Sequence, residues 1–98
     1  MTIEDRSAAE IALDAARRIR RSRLDRDLTQ QGLADRAGVS LASLRRFERT
    51  GQISFVSLVR LAFVLEAVSA VDALFAPPPI RSLDDLDDGP RRRRGRRS

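Results

Sequence analysis

The chain has 98 residues and a net charge of +5, from 19 basic residues, all arginine, against 14 acids. That length accommodates one small domain with tails, and the absence of cysteine and histidine excludes disulfides and any metal site built on those ligands. The acidic amino terminus lacks the long apolar core of a signal peptide, and the most apolar run, 53–63, is broken by Ser54, Ser57 and Arg60 and is too short to span a membrane, so a cytoplasmic location is expected.

After a polar start, Ser7 is placed to cap a first helix running from residue 8 to about 26. Ile11, Ala12, Ala15, Ala16, Ile19 and Arg23 follow one helical stripe, with Arg17, Arg18, Arg20, Arg21 and Arg26 around the other faces. Asp27 sits in the following turn. The stretch 29–51, TQQGLADRAGVSLASLRRFERTG, then reads as two short helices joined by a tight corner. Thr29 caps the first, whose Leu33, Ala34 and Ala37 share a face. Gly38 ends it in a left-handed conformation, Val39 plugs the corner and Ser40 caps the second. In the second helix Leu44, Phe47 and Glu48 face inward, while Leu41, Ala42, Ser43, Arg45, Arg46 and Arg49 point elsewhere. A short helix with a small or arginine-rich outer face fits a DNA major groove.

Ser54 caps a fourth helix, in which Phe55, Leu58, Val59, Leu61, Ala62 and Leu65 recur at helical spacing and Val56, Phe63 and Val64 add apolar surface on other sides. A helix apolar nearly all round must bury more than one face, and in so small a domain the excess suggests a subunit interface. A turn over 66–70 and a short fifth helix over 71–75 follow, with Phe75 closing the core. Pro77, Pro78 and Pro79 end the helical domain. Beyond them Ile80, Leu83 and Leu86 lie among aspartates, with too little apolar surface to fold alone but enough to dock on the domain or a partner. The charge is uneven along the chain: residues 91–98 alone carry six arginines, in a tail expected to be disordered.

Thr29, Gln30, Leu33, Ala34, Ala37, Gly38, Val39, Ser40, Leu44, Glu48 and Gly51, at their fixed spacing, resemble the helix-turn-helix of the phage-repressor or Xre family. The resemblance implies an all-α fold: a compact five-helix domain of the lambda-repressor kind over 8–76, followed over 77–98 by a Pro-rich, acidic linker and the arginine-rich tail. It implies base contacts from Leu41, Ala42, Ser43 and Arg46, and phosphate contacts from Gln30, Ser40, Arg45, Arg49 and Arg20. It also maps a structural ion pair onto Arg23 and Glu48, which suits a glutamate set among Leu44 and Phe47. Two residues depart from the family pattern: Asp27, where glycine is common, and Gly32, where a stronger helix former is usual. An ordinary helical hairpin without a ligand would leave the outward arginines idle.

One recognition helix spans only a few base pairs, so a homodimer on an inverted-repeat operator is expected. The stretch 47–86, with residues 43–46 before it, further resembles antitoxins of the HipB type, through S-L-R-R-F-E-R-T-G, V-D-A-L-F and S-L-D-D-L. That implies a repressor that autoregulates a toxin-antitoxin operon and binds a HipA-like serine/threonine kinase. The alternatives are a stand-alone Xre regulator, or a basic RNA-binding or nucleoid protein acting through its tail. No cofactor is implied. An enzyme is not expected: there is no Gly-rich phosphate loop, and Asp84, Asp85, Asp87 and Asp88 lack a companion base.

Overall fold

The computed structural model describes residues 5–79. Five helices occupy them: α1 (Ala8–Asp25), α2 (Gln30–Ala37), α3 (Leu41–Thr50), α4 (Phe55–Val64) and α5 (Val68–Asp72). The first four begin on a hydroxyl residue in extended backbone, Ser7, Thr29, Ser40 and Ser54, whose oxygen accepts the N–H of the residue three positions on. Each hydroxyl satisfies one of the amide donors that a helix start leaves without a partner. At α1 the cap is reciprocal, because the Ser7 N–H donates to the Glu10 carboxylate at 2.7 Å. This bond, followed by the one from the Ser7 side chain, holds the Glu10 carboxyl below the ordinary carboxylate range.

Glycine shapes two of the exits. Gly38 takes φ 69 after α2, and the Val39 N–H donates back to the Ala34 carbonyl at 3.0 Å. The closure turns Val39 into the core. Gly51, at φ 84, ends α3 against the backbone of α1: a Cβ there would stand 2.8 Å from the Ala12 carbonyl carbon and the Leu13 nitrogen. Asp27 adopts φ 56 in the turn between α1 and α2, a left-handed conformation that aspartate tolerates.

α1 lies on α3, and α2 packs on both α3 and α4. The core between them consists of Ala16, Leu33, Ala34, Val39, Leu44, Phe47, Leu61 and Leu65, with Ile19, Leu28, Ile53 and Leu58 packed around it. α4 therefore turns Leu61, Ala62 and Leu65 inward. Phe55, which shares the sequence stripe with them, points out beside Val56 and Phe63.

The carboxyl end of the domain differs from expectation. The fifth helix begins at Val68 and ends at Asp72, three residues before the expected span, and Phe75 lies beyond it, fully exposed at φ 58. Phe75 does not close the core. The chain leaves α4 through Glu66 at φ 58, with the Ala67 N–H donating to the Ala62 carbonyl at 2.8 Å. This tight reversal restarts the helix at once, so the expected turn over 66–70 is already partly helix. The buried residues at this end of the domain are Leu61, Ala62 and Leu65, and Phe75 instead lines an open groove with Phe55, Val59 and Phe63. The apolar residues Ile80, Leu83 and Leu86 and the arginine tail 91–97 lie outside the described residues.

Candidate nucleic-acid interface

α3 displays its side chains in two sets. Leu44 and Phe47 are buried, Leu41 is half-buried, and Ala42, Ser43, Arg45, Arg46 and Arg49 are exposed. The amino terminus of α3 is fixed by Ser40, whose Oγ accepts the Ser43 N–H at 3.0 Å and whose hydroxyl donates to Ser43 Oγ at 2.8 Å. Of the residues expected at base edges, Ala42, Ser43 and Arg46 thus share the open face, while Leu41 sits at its edge.

The one acid of α3 is withdrawn from that face. Glu48 retains 5% side-chain exposure and receives the Arg23 guanidinium as a fork, Nε to Oε2 at 2.8 Å and Nη2 to Oε1 at 3.0 Å. Arg23 is nearly as buried as its partner and also donates from Nη1 to the Leu28 carbonyl at 2.9 Å. Two residues expected on phosphates converge on the same carboxylate. Gln30 Nε2 donates to Oε1 at 3.1 Å, and Arg20 Nε stands 3.9 Å from it. One carboxylate therefore ties α1, α2 and α3 together, and the outer face of α3 is left with three arginines and no acid. Arg20 still exposes more than half of its side chain, at 58%.

Arg46 is held from below. Its Nη2 donates to the Gln52 side-chain oxygen. The Thr50 hydroxyl donates to the Arg46 carbonyl at 2.7 Å, and the Gln52 N–H donates to Thr50 Oγ1 at 3.1 Å. Arg46 and Gln52, with Ser43, Ser54 and Ser57, line a hollow of about 470 Å³ between the end of α3 and the start of α4. Gln52 is absent from the sequence-based set. Its position in a loop gives no periodic signal, and only the fold brings its side chain to Arg46.

No group of three or more His, Cys, Asp or Glu side chains that could hold a metal ion occurs among the described residues. None of their helices is long and apolar enough to cross a membrane.

No curated protein matches the sequence. The helix-turn-helix family model HTH_3 matches residues 19–71, which takes in the last seven residues of α1 and everything from there into α5. The matched span is more than half of the chain and contains Arg23, Glu48 and the whole outward face of α3, so the chain belongs to the helix-turn-helix family of the Xre and phage-repressor type, a family of DNA-binding transcription regulators.

Proposed function

We propose that this protein is a sequence-specific repressor that binds an inverted-repeat operator as a homodimer, with α3 in the major groove of each half-site. The observation that carries the proposal is the outer face of α3, where Arg45, Arg46 and Arg49 stand exposed while Glu48 is neutralised inside by Arg23. In this arrangement Arg46 reads guanine through a two-pronged bond, and Leu41, Ala42 and Ser43 fill the groove beside it. Ser40, Arg45, Arg49, Arg20 and the free edge of Gln30 set register on the phosphates. A dimer is supported by the apolar side chains that α4 and the chain after α5 leave exposed, Phe55, Val56, Phe63, Leu74 and Phe75.

Within that role we assign the protein to autoregulating antitoxins of the HipB type, acting in the cytoplasm on the nucleoid and neutralising a HipA-like kinase. The support is the sequence of 47–86. The test is recovery of the protein from its own cells with bound protein and DNA identified. A kinase together with an inverted repeat from one promoter establishes the antitoxin, and an inverted repeat alone leaves a stand-alone regulator. A second reading, a basic RNA-binding or nucleoid protein, is favoured only by the six arginines of 91–98. Deleting that tail separates the two, because specific operator binding that survives the deletion eliminates the tail as its source.

A further inference from the structure

We propose that Gln52 is a specificity-positioning residue: it holds the Arg46 guanidinium in the orientation that reads a base. This rests on Arg46 being the base-reading arginine. Arginine has a long side chain with many rotamers, and on an exposed helix face it must be immobilised before it can discriminate between bases. Here three hydrogen bonds close a ring around it. Thr50 Oγ1 donates to the Arg46 carbonyl, Gln52 N–H donates to Thr50 Oγ1, and the Gln52 side-chain oxygen accepts from Arg46 Nη2. The ring fastens the backbone of Gln52 to the same helical turn that carries Arg46, so its side chain starts from a fixed place within reach of the guanidinium.

The tether leaves the reading edge available. A guanidinium carries five N–H donors, two of them on Nη2. Gln52 takes one, and a bidentate bond to guanine O6 and N7 takes one from each terminal nitrogen. The glutamine amide is neutral, so it orients the cation without cancelling its charge, as a carboxylate at this place would. Gln52 also begins the loop to α4, beside Ser54 and Ser57, so the orientation of Arg46 is referred to the start of the next helix and not to α3 alone.

The experiment is selection of bound duplexes from a random pool by the full chain and three variants, Arg46→Ala, Gln52→Ala and the double substitution, with thermal melts alongside. The expected result is that Gln52→Ala melts like wild type and loses roughly three- to tenfold of its discrimination, at the one base pair per half-site that Arg46→Ala abolishes. In the Arg46→Ala background the second substitution then changes nothing. A Gln52→Ala profile equal to wild type overturns the proposal, as does an effect that adds to Arg46→Ala at another position, which would make Gln52 a direct contact. If Arg46→Ala itself leaves the profile unchanged, the base-reading role of Arg46 fails and the proposal falls with it. That result is distinct from one in which only Gln52→Ala is silent.

Discussion

Glu48 and Asp25 are both carboxylates paired with arginine, and the difference between them is water. Asp25 meets Arg21 at 3.1 Å with most of both side chains exposed, so the pair is screened and its net value is at most about 1 kcal/mol. Glu48 and Arg23 have both been stripped of solvent, and each depends on the other for charge and hydrogen bonds. Glu48→Ala leaves the Arg23 cation buried without its counter-ion and takes a partner from Gln30. The expected loss is about 3–5 kcal/mol, read from urea denaturation, against less than about 1 kcal/mol for Asp25→Ala. Equal midpoints for the two variants would show that the buried pair is not structural. In the proposed DNA complex the exposed arginines divide by a different criterion, which is whether they face bases or phosphates. Arg46→Ala is expected to erase preference at one base pair per half-site at a cost of about 1–3 kcal/mol. Arg49→Ala should weaken all duplexes alike and lower the salt slope by about one per subunit. Selected sequences and a salt titration on each variant distinguish these outcomes.

At the scale of the elements, the boundaries come from capping chemistry, and this is why most of them were legible in the sequence. Ser7, Thr29, Ser40 and Ser54 are hydroxyl residues placed immediately before apolar periods, and each starts a helix. Gly38 and Gly51 follow the last turns of α2 and α3, and both are left-handed. The proximity of Arg23 to Glu48 was legible through the family spacing. The end of the domain was not, because α5 has no side-chain cap and its start is set by the reversal at Glu66, a residue type that carries no turn signal. Phe75 was misplaced for the same reason: an aromatic residue after a helical period looks like core, but the earlier start of α5 leaves Phe75 beyond the helix end, fully exposed, while Leu61 and Leu65 are buried. The two glycines, similar in sequence, differ in surroundings. A Cβ at Gly38 meets nothing within 4 Å, whereas one at Gly51 would collide with the backbone of α1. Gly38→Ala should therefore cost only its left-handed strain, about 1 kcal/mol. Gly51→Ala should cost clearly more, because α1 has to move off α3. Melting curves that place the two variants together would mean that the close approach of α1 is not a constraint.

For the whole molecule the question is what covers the apolar face of α4. Phe55, Val59 and Phe63 recur every four residues, and Val68, Val71 and Leu74 face them across a shallow groove of about 510 Å³. Phe63 remains 63% exposed, so the stripe is surplus to the core that the described residues form. Exposed apolar stripes of this kind are costly in water and mark contact surfaces. If the contact is a second copy, the benefit is realised on DNA, because joining two reading helices makes the second half-site encounter intramolecular. That raises operator affinity by roughly 10²–10⁴ without any new base contact. Phe63→Arg tests this. The side chain is outside the core, so the variant should melt within about 1 kcal/mol of wild type. It should sediment as a monomer where wild type is a dimer, and lose at least about a hundredfold of its affinity for the inverted repeat. Its affinity for an isolated half-site should hold or rise slightly, since the new charge is positive. A Phe63→Arg protein that remains dimeric would move the interface away from α4. A wild-type monomer that still binds its operator tightly would remove the second copy as the occupant and leave the stripe to the proposed kinase or to this chain's own Ile80, Leu83 and Leu86.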